Sequence, residues 1–87
     1  MAEEKIGTVT HYFAEPEVGA LSLDDQLRVG DVVAFRGHTT DFQQTVESME
    51  IDHESVETAG PNDEVALKVK DRVREGDEVY VVERTGF

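Results

Sequence analysis

The chain carries no helix signature. No stretch of eleven or more residues places apolar side chains at i, i+3, i+4 and i+7 behind a capping residue. Period two takes its place. Runs rich in β-branched and aromatic residues occupy 5–13, 18–23, 31–36, 42–53, 64–70 and 78–83. The clearest is 64–70, where Val65, Leu67 and Val69 alternate with Ala66, Lys68 and Lys70. Six such runs within 87 residues, separated by turn signals, predict an all-β domain. A chain this short buries only about 60–65% of its unfolded surface. With no cysteine, it also has no disulfide or thiolate metal site to stabilise it. A small closed barrel of six antiparallel strands removes exposed edges and is the expected solution. Ile6, Val33, Phe35, Val65, Leu67, Val69, Val79 and Val81 are expected to face its interior.

The alternation breaks inside 42–53. Phe42 and Val46 share one parity, Met49 and Ile51 the other, and a bulge near Glu47-Ser48 would reconcile them. An internal echo is also present. Leu27-Arg28-Val29-Gly30-Asp31-Val32-Val33 parallels Val73-Arg74-Glu75-Gly76-Asp77-Glu78-Val79. In each, glycine supplies the positive φ of a tight turn and aspartate can bond the backbone ahead of it. Such a pair is either a duplicated unit or a common way of entering a strand. Pro61-Asn62-Asp63 is a further turn cluster, and 37–41 is a hairpin loop.

Twenty acids face eight bases, for a net charge of −12. The acids are interleaved with apolar residues, as on the solvent faces of strands, and form no block. Two readings fit: a halophile-type surface that stays soluble in concentrated salt, or a negative face for a basic partner. No apolar run is long enough for a membrane helix, and Met1-Ala2-Glu3-Glu4-Lys5 has no secretory h-region. The expectation is a single cytoplasmic domain over 1–87, with 1–4 as a disordered tail.

Chemical motifs are sparse. No Gly-rich phosphate loop occurs, and Ser22, Ser48 and Ser55 lie in no nucleophile-elbow context. His11, His38 and His53 lack metal-ligand spacing. Asp24-Asp25, Asp52 with Glu54, and Asp63-Glu64 follow no calcium-loop pattern. No catalytic residue, metal site or cofactor is assigned, and the chain is read as no enzyme. The local basic cluster is Lys68, Lys70, Arg72 and Arg74. It can contact phosphate, or pair with Asp71, Glu75 and Asp77 beside it.

Val46-Glu47-Ser48-Met49-Glu50-Ile51-Asp52-His53-Glu54 resembles a V-x-S-V-E-M-H-H-E segment in the second domain of elongation factor 1-alpha, which elongation factor Tu shares in related form. Thr58-Ala59-Gly60-Pro61-Asn62-Asp63-Glu64-Val65-Ala66-Leu67 resembles that family's E-A-L-P-G-D-N-V-G-F. Ile6-Gly7-Thr8-Val9 resembles its I-G-T-V opening, and 27–33 its L-K-x-G-x-x-V turn and strand. The resemblance implies a free-standing β-barrel domain of the translational GTPases, without GTP binding. It implies a non-catalytic, translation-associated binding module that engages tRNA, ribosomal components or a protein of that machinery. Glu50 would then pack by the terminal adenosine of tRNA, with His53 on the same face. The basic cluster Lys68, Lys70, Arg72 and Arg74 supplies the remaining candidate RNA or partner contacts. The other function considered is an acidic protein-interaction adaptor without RNA binding.

Overall fold

The computed structural model describes residues 3–84. Among them the chain forms β1 (Glu4–Phe13), β2 (Val18–Leu23), β3 (Leu27–Arg28), β4 (Val32–Arg36), β5 (Asp41–Thr45), β6 (Met49–Ile51), β7 (Glu54–Val56), β8 (Thr58–Ala59), β9 (Glu64–Lys68) and β10 (Glu78–Glu83), and no helix. β1 thus begins inside the stretch read as a tail, while residues 1 and 2 lie outside the described ones. Eight strands form one antiparallel sheet in the order β5-β4-β10-β1-β2-β9-β6-β7. β3 and β8 pair separately, Leu27 opposite Ala59.

All eight residues expected inside are buried, at 4% exposure or less. They join Val9, Leu21, Leu23, Leu27, Val46, Met49, Ala59 and Val73 in one cluster, so the sheet curls around a single core. Phe35 is its largest fully buried side chain and stacks on Phe42 with ring centroids 5.0 Å apart. Truncating such a ring to alanine costs about 3–5 kcal/mol.

The expected closed barrel of six strands does not form. β5 pairs with β4 alone and ends the sheet, and β7 ends it on the other side. The run 42–53 is the reason. It is neither one strand nor a strand with a bulge at Glu47-Ser48. It leaves β4 after Thr45, buries Val46, crosses at residues 47 and 48, and joins β9 as β6. It then reverses at Asp52-His53, whose φ values of 52° and 67° give a two-residue hairpin of the kind that matches strand twist. Aspartate and histidine enter that left-handed region more readily than most residues.

The echo in the sequence is a repeated turn, and it has a third copy. In residues 28–31, 74–77 and 60–63 the third residue, Gly30, Gly76 or Asn62, has positive φ (103°, 91° and 73°), as a type II turn requires. The fourth residue is always aspartate. Its carboxylate reaches back to accept the N–H of the turn's first residue: Arg28 to Asp31 at 3.0 Å, Arg74 to Asp77 at 2.8 Å, Gly60 to Asp63 at 2.8 Å. The bond therefore runs backward, where the sequence reading had it run ahead. Each turn then grips one buried residue by two backbone bonds. The third residue's N–H donates to that residue's carbonyl, whose own N–H donates to the aspartate carbonyl. The gripped residues are Val46, Val9 and Leu23. Each turn thus ties a surface reversal to the core.

Candidate functional site

The break in the sheet is where a site can form. The register of β5 on β4, together with the bonds Gly37 N–H to Thr40 O and Val46 N–H to Asp31 O, fixes which β5 groups face β4. By antiparallel alternation Phe42 and Gln44 bond to β4, and the N–H and C=O groups of Asp41, Gln43 and Thr45 face the open edge. Across that edge lies the chain leaving β9. Its Val69 N–H donates to Glu17 O at 3.1 Å.

Gln44 spans the break. Its Nε2 donates to Lys68 O at 2.8 Å, and Lys70 N–H donates to its Oε1 at 2.8 Å. In a parallel ladder one residue bonds to the two residues flanking its neighbour. The Gln44 amide makes that same pair of bonds around Val69, so a side chain stands where a strand is missing. Beside it opens a cleft of about 620 Å³, lined by Glu17, Gln43, Gln44, Thr45, Lys68 and Lys70 among others. A volume of that size is in the range of ligand sites, roughly 300–1,000 Å³.

Residues 68–74 continue into a second cleft of about 230 Å³, where Arg72 and Arg74 meet Thr39, Thr40 and Asp41. Val69 and Val73, each nearly fully buried, pin this segment to the core and leave the four basic residues exposed. Gly19 makes room for it: a Cβ there would lie 3.3 Å from Val73 and 3.4 Å from Val69.

Of the two readings of the basic cluster, pairing with Asp71, Glu75 and Asp77 is not seen among the described residues. Asp71 and Asp77 accept backbone N–H groups, from Arg72 and Arg74, both at 2.8 Å. Glu75 lies 3.3 Å from His11. Among the described residues Lys68, Lys70, Arg72 and Arg74 have no carboxylate within 4 Å, whereas Lys5, Arg36 and Arg84 are ion-paired. Arg74 Nε donates to Thr39 Oγ1 at 2.9 Å.

Glu50 and His53 are exposed on the β6–β7 hairpin, and neither lines a cleft. Glu50 stands opposite Ala66, two residues before Lys68 on the outer face of β9. Gln43, Gln44 and Thr45 were not among the expected site residues. Gln44 was nevertheless legible: an amide on the inward parity of Phe42 and Val46 needs a polar partner inside.

The ionisable groups with displaced pKa values are Glu3, just before β1, Arg36 on β4, and Glu78 and Tyr80 on β10, and none of them lines a cleft. Tyr80 donates to Glu78 at 2.7 Å and, helped by Lys5, holds that carboxyl below its ordinary value; Glu78 in turn raises the Tyr80 hydroxyl. Arg36 hydrogen-bonds Glu3 and lowers its carboxyl likewise. No group of three His, Cys, Asp or Glu among the described residues can hold a metal ion. No helix there is long and apolar enough to cross a membrane.

No family model matches the chain. It is 35% identical over 82 residues to an uncharacterized protease of Methanocaldococcus jannaschii, MJ0090. That match covers 93% of this chain but spans only about a fifth of the relative's length (20%). In structure it is similar to the C-terminal domain of a Geobacillus thermoleovorans protein assigned to the U32 peptidases. One crystal structure of that domain superposes with a TM-score of 0.83 at 25% identity, covering 87% of this chain and 96% of that one. A second gives 0.82 at 25% identity over 87% and 89%.

These relatives overturn the elongation-factor resemblance, and with it the translation role and the tRNA-end reading of Glu50 and His53. The physical reason is visible in the fold. Two of the four matching segments contain Asp-clasped turns, and the other two contain Val9 and Val46, each gripped by a turn of this kind. Such segments record how a small β-domain enters its strands, and unrelated functions share them. The relatives are named as proteases, and the structural match is to a C-terminal domain alone.

Proposed function

We propose that this chain is an accessory domain of a peptidase-type protein and does not itself hold the hydrolytic centre. The observation that carries the reading is the span of the structural match: nearly the whole chain superposes on nearly the whole of a domain that sits C-terminal in a U32 peptidase. The match to the M. jannaschii protease, confined to a fifth of that protein, supports the same assignment. An accessory domain supplies binding rather than bond cleavage, and the open sheet edge with its two clefts is the surface suited to it.

Domain exchange tests the reading. Three forms of the M. jannaschii protease are compared on fluorescein-labelled casein: intact, lacking the segment that matches this chain, and carrying this chain in its place. Deletion is expected to lower hydrolysis at least tenfold and replacement to restore it, while this chain alone cleaves nothing. Cleavage by the isolated chain, or full activity after deletion, overturns the proposal.

A further inference from the structure

We infer that the break between β5 and residues 68–70 receives an extended polypeptide segment, whose backbone displaces the Gln44 amide and whose carboxylates face Lys68, Lys70, Arg72 and Arg74. The inference deepens the accessory-domain reading and rests on it in part for the choice of a polypeptide over other chains.

Three observations meet at this place. First, β5 presents the N–H and C=O groups of Gln43 and Thr45 to the cleft as an unpaired edge, and an exposed edge is a template for a further strand. Second, the opposite wall already makes the two bonds that an incoming strand would make, but makes them to a side chain. Replacing the Gln44 amide by a peptide backbone exchanges those bonds for equivalent ones and adds the bonds to β5. Strands lie about 4.8 Å apart, so one inserted strand needs about 10 Å between the walls. Third, the basic residues without a carboxylate partner run along this wall, on a chain of net charge −12. Residues 68–74 extend past both clefts. At roughly 3.3 Å per residue, a segment of about six residues or more reaches both. Glu17 and Glu47 also line the first cleft, so the carboxylates are required opposite residues 68–74.

A nucleic acid would also meet the four cations. The edge of β5 offers it no ladder, because a phosphodiester backbone has no alternating N–H and C=O groups to pair with a strand. A polypeptide is therefore favoured.

The test uses the whole chain and a fluorescein-labelled peptide, Glu-Val-Glu-Val-Glu-Val-Glu, at about 0.1 M salt. Controls are the same peptide with backbone N-methyl groups on alternate residues, its Lys-Val counterpart, and an oligouridylate of equal charge. The expected result is saturable binding of the acidic peptide, with ¹H–¹⁵N shifts at Gln43, Thr45, Lys70 and the Gln44 side-chain amide. N-methylation, or Lys68→Gln with Lys70→Gln, weakens it at least tenfold. Gln44→Ala removes the competing amide and tightens binding several-fold, the opposite of what loss of a contact residue would do. Thr45→Pro removes an edge donor where an edge strand tolerates proline, and weakens binding at least tenfold. Equal affinity for the N-methylated peptide, tighter binding of the oligouridylate, or no shift at Gln44 overturns the proposal. If domain exchange restores casein hydrolysis while the peptide does not bind, this inference fails and the accessory reading stands.

Discussion

Substituting Gly37 by alanine tests whether the aspartate clasps hold the fold in place. A Cβ at Gly37 would lie 1.9 Å from Asp77 Oδ1 and 2.6 Å from its Cγ, so the carboxylate must move. It is not a loose end. Asp77 is only 5% exposed, and its Oδ2 holds the Arg74 N–H at 2.8 Å. Moving it releases that bond, and a hydrogen bond to a charged group contributes about 1.5–3 kcal/mol. For a domain of this size each kcal/mol shifts Tm by about 4–8 °C. Gly37→Ala is therefore expected to lower Tm by roughly 6–24 °C. Asp77→Ala loses the same bond at a similar cost. Made together, the two substitutions should not add: once the carboxylate is gone, Gly37→Ala costs less than about 0.5 kcal/mol, a coupling of about 1–3 kcal/mol in magnitude. Urea unfolding of the four proteins in one buffer measures the cycle. Gly60→Ala is the control, since a Cβ there meets nothing within 4 Å. Additive costs in the cycle, or a neutral Gly37→Ala, refute the reasoning.

Two further predictions concern charge. Glu78 and Glu3 are held below the ordinary carboxylate range by Tyr80 and Arg36, so their stability is present above about pH 4.3 and lost as pH falls through the lowered folded values. Tyr80 is raised, so its stability is present below about pH 10 and lost as pH rises through the raised value. Tyr80→Phe should flatten both limbs of a Tm-versus-pH curve, and a curve unchanged at both ends would count against the Tyr80–Glu78 bond. The net charge of −12 predicts that the circular-dichroism melt rises between about 0.1 M and 3 M KCl, because screening shortens from about 10 Å to under 3 Å; an unchanged melt rejects a halophile-type surface.

The strands were legible because each half-buried run alternates, and burial follows that alternation directly: Val65, Leu67 and Val69 needed nothing beyond their spacing. What the spacing does not encode is which strands meet. Val46 and Met49, three residues apart, are both buried because the chain changes partner between them, and local period cannot register a change of partner. Reading 42–53 as one strand therefore closed a barrel that the molecule leaves open. β3 and β8, two residues each, are too short to show a period at all.

The elongation-factor resemblance failed for a related reason. The segments that carried it are dominated by turn chemistry, and the same clasp built on Gly30, Gly76 and Asn62 shows that this chemistry serves chain reversal wherever it is needed. A candidate functional residue, by contrast, shows itself as a break in such rules. Gln44 is the instance: a polar side chain on a core-facing position, satisfied by the backbone of a strand that is not its neighbour. Its two bonds span the gap, and the cations beside it have no carboxylate partner among the described residues. Glu50 and His53 obey the local rules, as an outer-face strand residue and a hairpin-turn residue, and the geometry gives them no part in either cleft.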